Sequence, residues 1–191
     1  MREAIAQFRE VLAATDPVAA VKLMPGLSRD AVVKQIQRLP FRITPDAVEL
    51  YSTMDGSADD PLELLPGSYF INLESAVDEF EQLAPMRDEL DDIFPQQYRD
   101  SVRFLSDWSD GGYAFGAVES PAKGQIVDWV IHDEWKLAFA SLEKLLITAT
   151  ECRKRGVFGD GDIPDFELYY QIGRELNPEM ETWLEQSGDG G

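Results

Sequence analysis

The chain has few of the residues from which most catalytic and metal sites are built. Its 191 residues include one histidine, His132, and one cysteine, Cys152. Zinc and iron sites need several imidazole or thiolate ligands, and a disulfide bond needs two cysteines, so both are excluded within one chain. Met1 leads into a charged segment without the apolar core of a signal peptide, and no apolar run approaches the roughly 20 residues that span a bilayer. We therefore expect a cytoplasmic protein with no metal ion, no cofactor and no membrane association.

Positive charge is also scarce. The chain has 36 Asp and Glu against 17 Lys and Arg, which gives a net charge of −19 at pH 7. Such a charge repels nucleic acid and attracts basic proteins. Acidic disordered chains are poor in aromatic residues, but this one carries ten Phe, six Tyr and four Trp, and 44% of its residues are hydrophobic. We therefore expect a folded domain that binds a basic protein partner and no nucleic acid.

The spacing of apolar residues predicts three helices near the start of the chain. The first runs to about residue 14. Ser28 is placed to cap the second, which Pro40 stops. Thr44-Pro45 predicts the N-cap and first residue of the third helix, which we expect Asp55-Gly56 to end.

Between residues 57 and 100 the pattern changes several times. Residues 57–66 are rich in Asp and Pro and predict a loop, whereas residues 69–71 predict a short strand. Residues 74–83 have helical spacing. Residues 85–100 are acidic with few large apolar side chains, so we expect them to form a surface excursion.

Three strands form the clearest sheet signal. Residues 102–105 and 113–118 flank Asp110-Gly111-Gly112, which is typical of a hairpin turn. Residues 126–131 have apolar groups on both faces, as expected of a strand inside a sheet. Short connections between these strands predict an antiparallel meander.

A long helix and an acidic segment follow the sheet. Ser141 is placed to cap a helix whose apolar face includes Cys152, so we expect a buried, unreactive thiol. Beyond Gly156 the chain is acidic, and Asn177-Pro178 predicts one more helix start.

Together these elements predict an α+β fold, in which helices pack against an antiparallel sheet; a mixed sheet is the alternative. We expect one domain with three parts. Residues 1–38 form N-terminal helices packed on the domain, residues 39–156 form its core, and residues 157–191 form an acidic, partly helical C-terminal extension.

The order of these motifs resembles that of the Smi1/Knr4 family, which belongs to the SUKH superfamily. The match covers roughly residues 39 to 147. In chain order its motifs are Leu39-Pro40, a helix ending in Leu50-Tyr51, Asp55-Gly56, a short strand, a helix opening at Glu74-Ser75, the hairpin segment from Asp107 to Tyr113, and a closing helix at residues 141–146.

The resemblance implies a SUKH-like α+β domain that acts by protein binding and has no catalytic residues. Bacterial members are commonly immunity proteins that neutralise toxins, many of them nucleases, whereas fungal members resemble regulatory scaffolds for cell-wall synthesis. We therefore expect an immunity protein that occludes the basic cleft of a toxin. A regulatory scaffold is the alternative, and an enzyme that uses clustered carboxylates is a third interpretation.

Acidic and aromatic side chains are the candidate partner-binding residues, because carboxylates steer a basic partner and tryptophan anchors it. The set is Asp59, Asp60, Glu63, Asp88, Glu89, Asp91, Asp92, Trp108 and Asp110. Trp135 is a further candidate anchor, although its ring suits a core equally well.

Other polar groups fit ordinary structural roles better than chemical ones. His132 is the one possible general base near neutral pH, but a histidine at the end of a strand is usually a surface group. Asp107 and the segment Asp160-Gly161-Asp162 offer oxygen ligands without the spacing of a calcium loop, so we expect them to form turns.

Overall fold

The computed structural model describes residues 1–57, 61–89, 99–107, 111–129, 135–159, 163–180 and 182, with the side chains of 86–89 left out. The elements in these ranges are α1 (Arg2–Thr15), α2 (Pro17–Ala20), β1 (Leu23–Pro25), α3 (Arg29–Ile36), α4 (Pro45–Thr53), β2 (Met54–Ser57), β3 (Glu63–Leu65), β4 (Ser68–Phe70), α5 (Leu73–Glu89), β5 (Ser101–Ser106), β6 (Gly112–Gly116), β7 (Ile126–Trp129), β8 (Lys136–Phe139), α6 (Leu142–Lys154) and α7 (Phe166–Leu176). The fold is α+β, as predicted.

The main sheet is an antiparallel meander. Strands β3 to β8 lie side by side in chain order, and β1 and β2 form a separate antiparallel pair. The predicted hairpin is present, with Ser101 opposite Gly116 and Ser106 opposite Gly112. Strand β7 lies between β6 and β8, which confirms that it is interior. Every pairing between these strands is antiparallel, so the mixed-sheet alternative is wrong for the described part of the chain.

Side-chain caps begin the helices where the sequence predicts. The hydroxyl oxygens of Ser28, Thr44 and Ser141 accept hydrogen bonds from backbone amides three residues later, at 3.2, 3.3 and 3.2 Å. Each bond satisfies a donor that the first helical turn leaves without a partner. Local chemistry therefore fixes the starts of α3, α4 and α6.

Two segments differ from the prediction because pairing, and not local propensity, decides their structure. Helix α4 ends at Thr53, and Asp55-Gly56 belongs to β2, which pairs with β1. Within the predicted loop 57–66, residues 63–65 form β3 against β4. Leu64 and Leu65 are both fully buried, so β3 lacks the alternation by which a strand is recognised.

Three helix ends also differ. Helix α3 stops at Ile36, before Pro40, and α5 continues through Pro85 to Glu89. The first residues of the predicted excursion are therefore helical, and 90–98 lie outside the described ranges. Asn177 ends α7 and does not open a helix: its buried amide donates to the Thr148 hydroxyl at 3.0 Å and to the Gly173 carbonyl at 3.3 Å.

The core lies mainly between one face of the sheet and helices α1, α4 and α6. Its largest fully buried side chains include Phe8, Tyr51, Phe70, Phe104, Phe115 and Phe139. A smaller cluster contains Val127 and Trp129 of β7, whereas Ile126 faces the main core. Both faces of β7 are thus covered, as its apolar pattern predicts. Helix α7 packs on α6, and the hydroxyls of Tyr113 and Tyr169 lie 3.1 Å apart.

Asp55 is a buried carboxylate that helps to begin α5. Its Oδ1 accepts a hydrogen bond from the Leu73 amide at 2.8 Å, and the residue is 7% exposed. Burial raises the pKa of Asp55, because the charged form is poorly solvated there. The side-chain oxygen of Asp55 therefore stabilises the fold by accepting this hydrogen bond, whereas its negative charge destabilises the fold.

We expect Asp55→Asn to be at least as stable as the wild type at pH 7, and Asp55→Ala to lose about 1–3 kcal/mol by leaving the Leu73 amide unpaired. Because the pKa of Asp55 is raised in the folded state, its charge destabilises the fold at pH values above that pKa. This destabilisation is absent below the pKa of the same group in the unfolded chain, which is about 3.9. Any advantage of Asp55→Asn should thus shrink as the pH falls from 7 toward 4. Urea unfolding across this range measures it, and equal destabilisation by both variants would contradict the interpretation.

Candidate functional site

Most of the predicted partner-binding side chains cannot be placed. Asp59, Asp60, Asp91, Asp92, Trp108 and Asp110 lie outside the described residues, and Asp88 and Glu89 lie where α5 is described by its backbone alone. Glu63 is half-buried in β3, and its carboxylate accepts a hydrogen bond from the Gly67 amide at 3.1 Å. Its carbonyl accepts a hydrogen bond from the Arg153 guanidinium. Glu63 thus stabilises the β3–β4 turn, and its contact with a partner stays a prediction.

Two other candidates have structural roles. Trp135 is 5% exposed and lies 5.3 Å from the Trp129 ring, so its interpretation as an exposed anchor is wrong. Asp107 accepts a hydrogen bond from the Gly111 amide at 2.8 Å, as expected of a turn residue. His132 and the segment 160–162 lie outside the described ranges. Among the residues that are described, no group of three or more His, Cys, Asp or Glu could hold a metal ion.

The single cysteine is where the sequence predicts it. Cys152 is fully buried on α6, and burial raises its pKa to about 12. A thiol with that pKa has almost no thiolate at neutral pH, so nucleophilic chemistry at this residue is not supported.

The described surface contains a groove of about 770 Å³ that the sequence does not predict. One side of the groove is formed by α3 and the loop that follows it. The other side is formed by Asp100, just before β5, and Glu119, in the connection from β6 to β7. Its apolar residues are Val33, Ile36, Leu39, Pro40, Phe41 and Ile43, and its polar residues are Gln37, Arg42, Asp100 and Glu119. We call this set the apolar groove. Its size falls within the range of about 300–1,000 Å³ that is usual for binding sites.

The floor of the apolar groove is formed by the last turn of α3 and the loop after it, and this loop is held at two neighbouring residues, Phe41 and Arg42. Its Arg42 carbonyl accepts a hydrogen bond from the Val118 amide at 2.9 Å. The Phe41 ring packs edge-on against Phe80 of α5, with centroids 5.2 Å apart. Val33, on the last turns of α3, is 37% exposed to solvent. The floor is therefore an apolar surface that is already formed and open to water.

The rim of the groove is acidic. Arg42 Nε donates a hydrogen bond to Glu119 Oε1 at 2.6 Å, and this bond lowers the pKa of Glu119. The Asp100 carbonyl accepts from the Ala117 amide at 2.7 Å. Its carboxylate is exposed and has no partner among the described residues. The rim thus carries two carboxylates and one guanidinium, a net charge of −1.

Elsewhere on the described surface, arginines are neutralised by carboxylates. The ion pairs are Arg2 with Glu49, Arg38 with Asp78 and Glu81, Arg103 with Glu79, and Arg155 with Glu175. Each pairing removes a positive charge that could compensate another acidic group. These pairs leave the net charge of −19 unchanged, so the rest of the chain carries the whole excess of carboxylates.

Comparisons with known proteins do not identify the chain: no protein-family model matches it, and no curated protein matches it. Within the described residues, no helix has the length and apolar character needed to cross a membrane.

Proposed function

We propose that this chain is a non-catalytic domain of the SUKH type that binds a basic protein, and that it serves as an immunity protein by covering the basic active-site cleft of a toxin such as a nuclease. The observation that carries the proposal is the net charge of −19 on a chain in which several described arginines are already held in ion pairs. The order of the sequence motifs supports the SUKH assignment.

A strongly acidic surface has a specific kinetic effect. It raises the rate of encounter with a basic partner by about 10- to 1,000-fold, and added salt removes the effect. Charge of one sign also destabilises a compact chain through self-repulsion. Binding a basic partner relieves that repulsion, which is why we assign function to the charge and do not treat it as a solubilising surface alone.

Affinity capture from a lysate of the source organism tests the proposal. We expect the immobilised protein to retain a basic protein in about 50 mM salt and to release it in a salt step, because charge steering is screened over about 10 Å at 0.1 M salt. The association rate of the purified pair should fall at least about tenfold between 50 and 500 mM salt. The eluate is identified by mass spectrometry.

A bait of equal negative charge and unrelated fold serves as the control, because it removes proteins that bind any polyanion. A captured toxin whose activity the protein suppresses would support the immunity function. Capture of host signalling or envelope proteins would favour the regulatory scaffold, and capture only of acidic or salt-insensitive partners would contradict the proposal.

A further inference from the structure

We propose that the apolar groove docks a partner segment in which an apolar side chain is closely followed by arginine or lysine. The apolar side chain enters the floor around Val33 and Phe41, and the cation pairs with the rim carboxylate of Asp100. The inference rests on the proposed function, because it assigns a site and a recognition chemistry to the basic partner.

The floor favours an apolar anchor. Val33 is one of the large apolar side chains that stay exposed among the described residues, and Ile36 and Phe41 beside it are half-buried. Covering these groups removes apolar surface from water, which favours binding. Val33 and Ile36 lie on α3, and the loop that carries Phe41 is tied by the bond from the Val118 amide to the Arg42 carbonyl, so little order has to be gained on binding.

The rim of the groove favours a positive charge next to the apolar anchor of the partner segment. Asp100 offers an exposed carboxylate without a partner among the described residues, so a cation placed there gains an ion pair. Glu119 is already paired, but both it and Arg42 are exposed, and such pairs exchange at small cost. A carboxylate at the same position would meet a rim whose net charge is −1. The groove therefore distinguishes a basic segment from an acidic one, in agreement with the net charge of the chain.

The test uses three synthetic peptides and the full-length ¹⁵N-labelled protein. The first peptide contains Leu-Gly-Arg-Arg between Gly-Ser flanks, the second has alanine in place of leucine, and the third has glutamate in place of both arginines. We expect the first peptide to shift the amide signals of groove residues such as Phe41 and Arg42 with saturation. The alanine peptide should bind roughly five- to tenfold more weakly, as truncation of an interface anchor does, and the glutamate peptide should not bind.

Matched variants locate the binding. Val33→Lys places a like charge in the floor and should abolish binding of the first peptide, whereas Val18→Lys is the same change at a site on α2 that is 69% exposed and does not line the groove, and should leave it unchanged. Asp100→Asn should weaken binding by about two- to fivefold, the value of an exposed ion pair. Circular dichroism confirms that each variant is folded.

The outcomes separate the inference from the proposed function. If basic peptides bind in a salt-sensitive manner but shift signals elsewhere, or if Val33→Lys binds normally, the groove is not the docking site and the basic-partner function stands. If the glutamate peptide binds as well as the arginine peptide, the assigned chemistry is wrong. If no peptide binds at millimolar concentration, the docking inference is overturned, and the capture experiment alone judges the function.

Discussion

Gly112→Ala should destabilise the protein by about 4 kcal/mol or more, a large part of the roughly 5–15 kcal/mol that is typical of a folded domain. Gly112 begins β6 with φ +139, a backbone conformation that residues with a side chain rarely adopt. A methyl group there would overlap the carbonyl of Leu105 in the neighbouring strand. Because that obstacle is backbone within a sheet, it cannot rotate away as a side chain would. The hairpin at the centre of the sheet would have to open.

Gly156→Ala is the matched control. Gly156 also has a positive φ, at +80, but a methyl group at this position meets no atom within 4 Å. Its cost is the conformational strain alone, about 1–2 kcal/mol. Urea unfolding followed by circular dichroism and tryptophan fluorescence measures both variants. Equal losses of unfolding free energy would show that strain, and not overlap with Leu105, decides the effect at Gly112.

Phe8→Ala should lower the free energy of unfolding by about 3–5 kcal/mol. Phe8 is fully buried on α1, and α1 packs against α6. Truncation removes the burial of an aromatic ring and leaves a cavity that the surrounding residues fill only in part. If the N-terminal helices are part of a single domain, the unfolding transition should move as a whole and stay cooperative.

Gln7→Ala on the same helix is the control for helix propensity, because Gln7 is exposed; its effect should stay within about 0.5 kcal/mol. A separate early transition for Phe8→Ala, with the rest of the protein as stable as the wild type, would show that residues 1–38 are an independent unit. Such a result would contradict the predicted organisation.

The sequence predicts well those structural features that depend on a few neighbouring residues. The caps at Ser28, Thr44 and Ser141 and the β5–β6 hairpin depend on a few adjacent residues, and all are present. Strand β3 is not predicted because its adjacent leucines, Leu64 and Leu65, are both buried and break the alternation of a strand; its structure comes from pairing with β4.

The apolar groove could not be predicted for a related reason. Val32 and Val33 are equivalent in the helical pattern of α3, yet Val32 is fully buried and Val33 is exposed. Which of them faces solvent depends on how α3 packs against α4 and α5, and this packing is not encoded in spacing alone. The sequence shows that acidic residues are abundant, but their number does not show which surface binds a partner.

The hydrogen bond from Arg153 to the Glu63 carbonyl has a consequence for self-association. Strands β3 and β8 are the outer strands of the sheet, and the unpaired backbone of an outer strand can recruit strands from other molecules. Arg153 occupies a carbonyl of β3, and the Thr182 hydroxyl donates to the Leu137 carbonyl of β8 at 3.4 Å. Before either carbonyl can pair with a foreign strand, the Arg153 or Thr182 side chain must release it, so amyloid-like growth from these sites begins with the loss of a native hydrogen bond.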